Sequence, residues 1–114
     1  MPNSREKGAR GEREIASILR QYGYDARRGQ QFKGGADSPD VVGLPHIHIE
    51  VKRVEHLRLM DAYEQSFRDA GLDEMPVVFH KKNREPWFVT MTLEDWMKMY
   101  TASEYRYDWN MKGE

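Results

Sequence analysis

The chain has 114 residues, of which 39% are hydrophobic and 32% charged, and its formal net charge is -1. This length suits a single domain, and we expect residues 1–114 to form one, with the core in residues 7–100. The absence of cysteine excludes disulfides, thiolate zinc sites and cysteine nucleophiles. No apolar run approaches the ~20 residues that span a bilayer, so the sequence predicts a cytoplasmic protein with no membrane partner.

Charge is distributed unevenly along the chain. Residues 1–35 hold eight Lys or Arg and four acids, whereas residues 36–114 hold ten and fifteen. A basic first third beside an acidic remainder is compatible with phosphate binding next to an acidic metal pocket, because charge distribution matters more than net charge. The near-neutral total therefore does not exclude a nucleic acid partner, although it predicts weak non-specific binding at high salt.

The first predicted element is an amphipathic helix over residues 5–22, which Gly23 ends. Its apolar stripe recurs at helical spacing and consists of Ile15, Ile18, Leu19 and Tyr22. Glu12 falls at the edge of this stripe. It either points towards whatever the helix packs on, or is a first-turn carboxylate that the helix dipole favours or that pairs with a nearby Arg.

A short strand is predicted over residues 24–28, followed by the loop G-Q-Q-F-K-G-G-A-D-S-P. The loop is too rich in glycine for regular structure, and it lacks the Gly-Lys-Ser/Thr of a phosphate-binding P-loop. It is either a basic loop that follows a DNA backbone through Gln30, Gln31 and Lys33, or an ordinary surface loop.

The stretch from Ser38 to Arg53 carries acids within two short apolar runs. In the second run, apolar residues alternate with polar ones, which predicts a strand with one apolar and one polar face. Glu50 and Lys52 therefore point the same way. If Asp40 opens the neighbouring strand, two carboxylates and an ammonium converge at one edge of a sheet, as a hard divalent cation and an activated water require.

The remaining chain predicts a helix over residues 59–70 and two strands over residues 75–80 and 86–91. Thr92 caps a last helix over residues 93–100. The apolar contacts of these two helices are predicted to be Leu59, Tyr63, Phe67, Trp96, Met97 and Tyr100. The element order is thus αβββαββα, and the aromatic tail over residues 101–114 is either a docked edge strand or an arm that contacts a second subunit.

The motif Pro39-Asp40, followed after nine residues by Glu50-Val51-Lys52, resembles the P-D…(D/E)-x-K pattern of the PD-(D/E)xK nuclease superfamily. The preceding K-G-A-R-G-E-R-E-I, which contains Glu12, is similar to the archaeal Holliday junction resolvase branch and to small phage nucleases. The resemblance covers residues 7–91. E-x-K alone recurs by chance, whereas the four chemical positions in the order helix, strand, strand are much more specific.

This resemblance implies a restriction-endonuclease-like α/β fold, in which helices flank a mixed β-sheet. It also implies a Mg²⁺-dependent, structure-selective DNA endonuclease, with Mn²⁺ as a substitute ion, that hydrolyses phosphodiesters with a metal-activated water. Resolvases of this branch act as homodimers on branched DNA. One departure concerns a serine that resolvases carry in the loop where this chain has Gln30 and Gln31, and it puts junction-specific contacts in doubt more than hydrolysis.

The roles carry over residue by residue. Asp40 and Glu50 match the principal metal ligands, Glu12 matches the helix acid that completes the site, and the backbone carbonyl of Val51 is a further ligand. Lys52 matches the lysine that orients or helps deprotonate the attacking water. Residues expected beside the metal ligands or facing DNA are Gln65 and His48. Residues expected to contact DNA are Arg10, Arg13, Arg28, Gln30, Gln31 and Lys33.

Three other functions stay open on the sequence. The protein is a different DNA nuclease of the same superfamily (a nickase, a flap or repair nuclease, or an exonuclease), or a catalytically silent DNA-binding module of the same fold. A zinc site on one strand face, through His46, His48 and Glu50, is a more distant alternative, because side chains at i and i+2 seldom supply a full tetrahedral set.

Overall fold

A computed structural model describes residues 4–29 and 39–107. Its elements follow the predicted order αβββαββα, which is confirmed. They are α1 (Ser4–Gln21), β1 (Arg27–Arg28), β2 (Val41–Val42), β3 (Ile47–Arg53), α2 (Leu59–Asp69), β4 (Met75–Lys81), β5 (Phe88–Thr90) and α3 (Leu93–Ala102), followed by a 3₁₀-helix at Glu104–Arg106. No helix among the described residues is long and apolar enough to cross a membrane.

The five strands form one mixed sheet in the order β1-β2-β3-β4-β5. β3 and β4 are parallel, and every other neighbouring pair is antiparallel. A parallel pair needs a long crossover connection, and α2 provides it between β3 and β4. The central strand β3 therefore has hydrogen-bonded neighbours on both sides, with Ile49 opposite Val41 of β2 and Val77 of β4.

Helices cover both faces of β3. α1 contributes Ile15 and Ala16 to a core cluster that includes Ile49 and Val51 of the strand. α2 packs on the other face, where the Ser66 hydroxyl lies 3.2 Å from the carbonyl oxygens of His48 and of Val77. The polar face of β3 predicted from the alternation is thus buried beneath α2, and it does not face solvent as a half-exposed strand would.

One predicted element is shorter than expected, and two predictions about buried residues were wrong. The strand predicted over residues 24–28 is present, but it contains only Arg27 and Arg28, because only these two residues pair with β2. Tyr22 is 77% exposed because α1 ends at Gln21, and the chain turns away through Gly23 at φ 101°. Phe67 is also exposed, since α2 buries its small residues Ala62 and Ser66 against the sheet.

The last helix begins as predicted and packs differently. The Thr92 hydroxyl accepts a hydrogen bond from the Asp95 amide at 3.1 Å, which confirms the cap. However, α3 has no buried residue, and Trp96 and Tyr100 stack on each other at 5.3 Å between ring centroids. The edge-strand prediction for the tail is wrong for Tyr105, which lies in the 3₁₀-helix. The rest of that prediction, over residues 108–114, falls outside the described residues.

Gly11 sets how closely α1 approaches β3, and its replacement by Leu is expected to destabilise the protein by about 1–3 kcal/mol through overpacking. A Cβ at this position would lie 3.2 Å from the Cβ of Arg53 and 3.4 Å from a methyl group of Val51. Gly8 on the same helix has nothing within 4 Å of an added Cβ, so Gly8→Leu is the matched control. Urea unfolding of both variants checks the prediction, and equal midpoints would contradict it.

Candidate active site

Asp40 is held in place by backbone hydrogen bonds where β2 meets β3. Its amide donates to the carbonyl of Ile49 at 2.9 Å, and its Oδ2 accepts from the amide of Val51 at 2.8 Å. The carbonyl of Asp40 accepts from the Gly29 amide at 2.9 Å. A Cβ on Gly29 would lie 2.0 Å from the carbonyl oxygen of Pro39, so glycine is required for this close approach. The carboxylate is therefore fixed against the centre of β3.

Glu50 lies in the middle of β3 and is 2% exposed. Burial first, and then the nearby charge of Asp40, raise the pKa of Glu50 to about 8, while Lys52 acts in the opposite direction. The side chains of Asp40 and Glu50 therefore lie close together, as the strand pattern predicted. Two carboxylates in one dry place hold a proton at neutral pH unless a cation replaces it.

Glu12, on α1, lies near Asp40 and Lys52. Burial and the charge of Asp40 raise the pKa of Glu12, whereas Arg28 and Lys52 lower it. Arg28 Nε donates to Glu12 Oε1 at 2.9 Å, so part of the carboxylate's charge is already compensated. The structure shows elements of both alternatives for Glu12, because the carboxylate pairs with Arg28 and its electrostatic neighbours also include Asp40 and Lys52 of the strand motif.

Lys52 and Gln65 line one cleft between β3 and α2. This cleft has a volume of about 310 Å³, and its other polar side chains are Arg58 and Asp61. Lys52 thus stands two residues beyond Glu50 on the α2 side of the strand, next to the carboxylates. Gln65 lies close to Lys52, as expected from the sequence. The backbone amide of Val51 binds Asp40. The role of the Val51 carbonyl as a ligand stays a prediction.

His48 lies beneath the surface, with 1% of its area exposed, and so does not present its ring to a DNA backbone. It belongs to a group with Glu50 and Asp69 in which one ligand atom from each lies within 4.8 Å of the others. The zinc site suggested for His46, His48 and Glu50 is not formed, because His46 lies in the turn before β3 at φ 70° with its ring exposed. The sequence pattern did not identify Asp69 as a site residue.

The residues predicted to bind DNA fall into two sets. Arg10 and Arg13 are exposed on α1, and Arg28 is partly exposed while it pairs with Glu12. Gln30, Gln31 and Lys33 lie outside the described residues. The described part of the basic surface is thus the exposed side of α1 together with β1, next to the carboxylates.

A family model described as "Phage putative PDDEXK endonuclease" matches residues 3–112. The chain belongs to this family. The resemblance to the PD-(D/E)xK superfamily and to its phage-type nucleases is thereby confirmed, and membership carries nuclease activity as the general function of the family. A search of curated protein sequences gave no match.

Among solved structures, this family member is similar to Archaeoglobus fulgidus Hjc, a Holliday junction resolvase from an archaeal hyperthermophile. The two are 30% identical, with a TM-score of 0.57, and the match covers 75% of this chain and 72% of Hjc. The restriction-endonuclease-like α/β fold expected from the sequence is confirmed by this similarity. The similarity extends over most of both chains.

The donor atoms in the site suit a hard divalent cation. Asp40, Glu50 and Glu12 offer only oxygen, which is the ligand that Mg²⁺ and Mn²⁺ prefer. PD-(D/E)xK nucleases use divalent metals, and the side chains present in this chain fit one.

Proposed function

We propose that the protein is a Mg²⁺-dependent endodeoxyribonuclease that is selective for branched DNA and acts as a homodimer. Mn²⁺ is expected to substitute for Mg²⁺. Membership of the phage endonuclease family and similarity to a Holliday junction resolvase support this function. The single observation that carries it is the proximity of the buried Asp40 and Glu50 carboxylates, with Lys52 and Glu12 nearby.

The proximity of the Asp40 and Glu50 carboxylates is electrostatically unfavourable without a cation. Asp40 raises the pKa of both Glu50 and Glu12, so the Asp40 carboxylate repels each of the other two acids when they are ionised. Lys52 and Arg28 compensate only part of this charge. A structural ion pair has no need of a third acid, whereas a site that binds a divalent ion uses several carboxylates and leaves the remaining positions to water and to the substrate phosphate.

Each side chain has a role in the proposed reaction. Asp40 and Glu50, with Glu12 and the Val51 carbonyl, would hold Mg²⁺, which supplies activation of water and polarisation of the phosphate when bound. The Lys52 ammonium would orient the attacking water and donate to the phosphate oxygen that gains negative charge in the transition state. Water attacks phosphorus in line with the leaving oxygen, and that P–O bond breaks.

Selectivity for branched DNA rests on the comparison with Hjc and on the position of the basic surface. Arg10 and Arg13 lie exposed on the helix that also carries Glu12, so a duplex arm bound along α1 would approach the carboxylates. Gln30, Gln31 and Lys33 are proposed to extend this contact. His48 and Gln65 support the catalytic groups from within the protein.

The homodimer is supported by exposed apolar side chains along β5, α3 and the segment that follows α3. These side chains are all at least 38% exposed, which is unusual for so many large apolar side chains in consecutive elements. They are Phe88, Val89, Leu93, Trp96, Met97, Met99, Tyr100, Tyr105 and Tyr107. β5 is also an edge strand, so a second copy can add to the sheet there. Single-domain organisation and a cytoplasmic location stay predictions from the sequence.

Cleavage assays test this function. Purified protein with Mg²⁺ is offered a four-way junction, a flap, a linear duplex and a single strand of matched sequence, with EDTA as the metal-free control. Paired, symmetric nicks on the junction are expected, because a two-fold dimer places one site on each of two strands. Equal cutting of the linear duplex would contradict branched-DNA selectivity and favour another nuclease of the superfamily. No cutting with either Mg²⁺ or Mn²⁺ would favour a silent DNA-binding module.

A further inference from the structure

His48 and Asp69 flank Glu50 on the α2 side of β3, and the proposed nuclease mechanism gives neither of them a ligand role. His48 and Glu50 are adjacent on one face of the strand, and Asp69 comes from the last residue of α2. One imidazole nitrogen or carboxylate oxygen from each lies within 4.8 Å of the others. Among residues 4–29 and 39–107 this is the one group of three with such spacing, and neither Glu12 nor Asp40 belongs to it.

The contact of the His48 Nδ1 atom with Glu74 determines the orientation of the His48 ring. Nδ1 lies 3.4 Å from Glu74 Oε1, and the same oxygen accepts a hydrogen bond from the Gly71 amide at 2.7 Å. A carboxylate that faces one ring nitrogen fixes the proton there and leaves the opposite nitrogen as a lone-pair donor. This carboxylate–histidine arrangement directs Nε2 towards Glu50.

The two atoms that face each other lack partners. His48 Nε2 and Glu50 Oε1 are 4.0 Å apart, their side chains are 1% and 3% exposed, and neither atom has a hydrogen-bond partner among the described residues. A buried polar atom without a partner costs about 1–3 kcal/mol, so a pair of them in one place is unusual unless something binds between them.

We propose that His48 Nε2, Glu50 Oε1 and the Asp69 carboxylate form a second cation position, which takes a transition-metal ion of the Mn²⁺, Co²⁺ or Zn²⁺ class. Tetrahedral bonds of about 2.1 Å place ligand atoms about 3.4 Å apart, so His48 Nε2 and Glu50 Oε1, now 4.0 Å apart, have to approach each other by about 0.6 Å. The imidazole nitrogen selects such ions over Mg²⁺, which prefers oxygen ligands. Asp69 is partly exposed and leaves room for water as a further ligand.

This position is separate from the proposed Mg²⁺ position, although the two share Glu50. The Mg²⁺ position uses Asp40 and Glu12, which offer oxygen only, and the second position uses His48 and Asp69. A carboxylate can hold two ions at once through its two oxygens, as in two-metal hydrolases whose ions lie about 3.5–4 Å apart. The inference rests on the geometry around His48, and it stands independently of whether the protein cuts DNA.

Cobalt binding tests the proposal. Metal-free protein is titrated with Co²⁺ while visible absorption reports the coordination, and Zn²⁺ is added to a ¹⁵N-labelled sample while NMR follows the histidine ring nitrogens. The wild type is expected to show a ligand-field band and a shifted His48 Nε2 resonance. Asp69→Asn is expected to weaken Co²⁺ binding by at least tenfold. Glu64→Gln is the matched control, because Glu64 is an exposed acid on the same helix.

Two further variants make the outcome decisive. His48→Gln is expected to remove the nitrogen ligand, with circular dichroism to show that the buried substitution still folds. Asp40→Asn is expected to keep the shift of the His48 resonance, which separates this position from the Mg²⁺ position. The proposal would be overturned by an unchanged His48 resonance, by shifts confined to the other histidines, or by equal affinities of Asp69→Asn and Glu64→Gln. Metal binding at His48 without DNA cleavage would support it and count against the proposed function alone.

Discussion

Replacement of Asp40 by Asn or of Glu50 by Gln is expected to lower Mg²⁺-supported DNA cleavage by a factor of about 10²–10³. Each change removes an anionic ligand from a site whose charge is needed to hold a divalent cation, and loss of one precisely placed electrostatic group commonly costs a factor of about 10²–10³ in turnover. DNA binding in the absence of metal is expected to be retained or to become tighter, because the removed charge repels phosphates.

Single-turnover cleavage and fluorescence anisotropy with the same junction measure the two effects separately. Asp73→Asn is a suitable control, since Asp73 is an exposed acid in the turn before β4. Lys52→Ala is expected to reduce cleavage without loss of the bound metal, because the ammonium stands beside the ligands. If Asp40→Asn and Glu50→Gln both lose DNA binding and thermal stability, the acids are structural and the proposed catalytic roles are wrong.

The sequence predicted the site better than its surroundings. Period-two alternation is a local property of a strand, so the prediction that Glu50 and Lys52 point the same way is confirmed, and both lie on the α2 side of β3. The same alternation does not say what covers that face. The crossover α2 buries it, and His48 is therefore an interior residue. The local pattern determines to which face of a strand each side chain points. Whether that face is buried depends on the element that follows the strand and packs on it.

Asp69 shows why part of the site escaped prediction. The stripe of Leu59, Tyr63 and Phe67 was taken as the buried face of α2, on the rule that large apolar side chains lie inside. The helix instead buries Ala62 and Ser66, whose small size lets it approach the sheet closely. Asp69 follows at the same helical spacing and so faces β3. A stripe of small residues that ends in an acid was the available signal.

The apolar residues of α3 illustrate a different limit. Thr92 was recognised as a cap because capping depends on the neighbouring residues alone. Trp96, Met97 and Tyr100 were predicted to be the apolar contacts of the helix, but one sequence contains no information on whether an apolar face packs on its own chain or on a partner. Their exposure is what a dimer surface on β5 and α3 would produce.

The buried charge of Glu50 also predicts a large pH-dependent effect on stability. In the folded, metal-free protein the pKa of Glu50 is raised to about 8 from an ordinary value of 4.5, first by burial and then by Asp40. Between these values the folded state keeps a proton that the unfolded chain has lost. Stability from this group is thus fully present below about pH 4.5 and is lost as pH rises towards about 8.

Glu50→Gln is therefore expected to be about 2–5 kcal/mol more stable than the wild type at pH 9 in EDTA, and nearly equal to it at pH 4.5, because glutamine imitates the protonated acid at every pH. For a domain of this size the difference corresponds to a rise of about 10 °C or more in the Tm. Thermal unfolding from pH 4.5 to 9 measures it, with Glu14→Gln, a more exposed acid on α1, as the control. Mg²⁺ is expected to reduce the difference in Tm between the two proteins at pH 9 by stabilising only the wild type, since bound metal replaces the proton between the carboxylates. Parallel Tm curves for wild type and Glu50→Gln would show that Glu50 ionises normally, and that the carboxylates do not form the charged, cation-seeking site on which the proposed function depends.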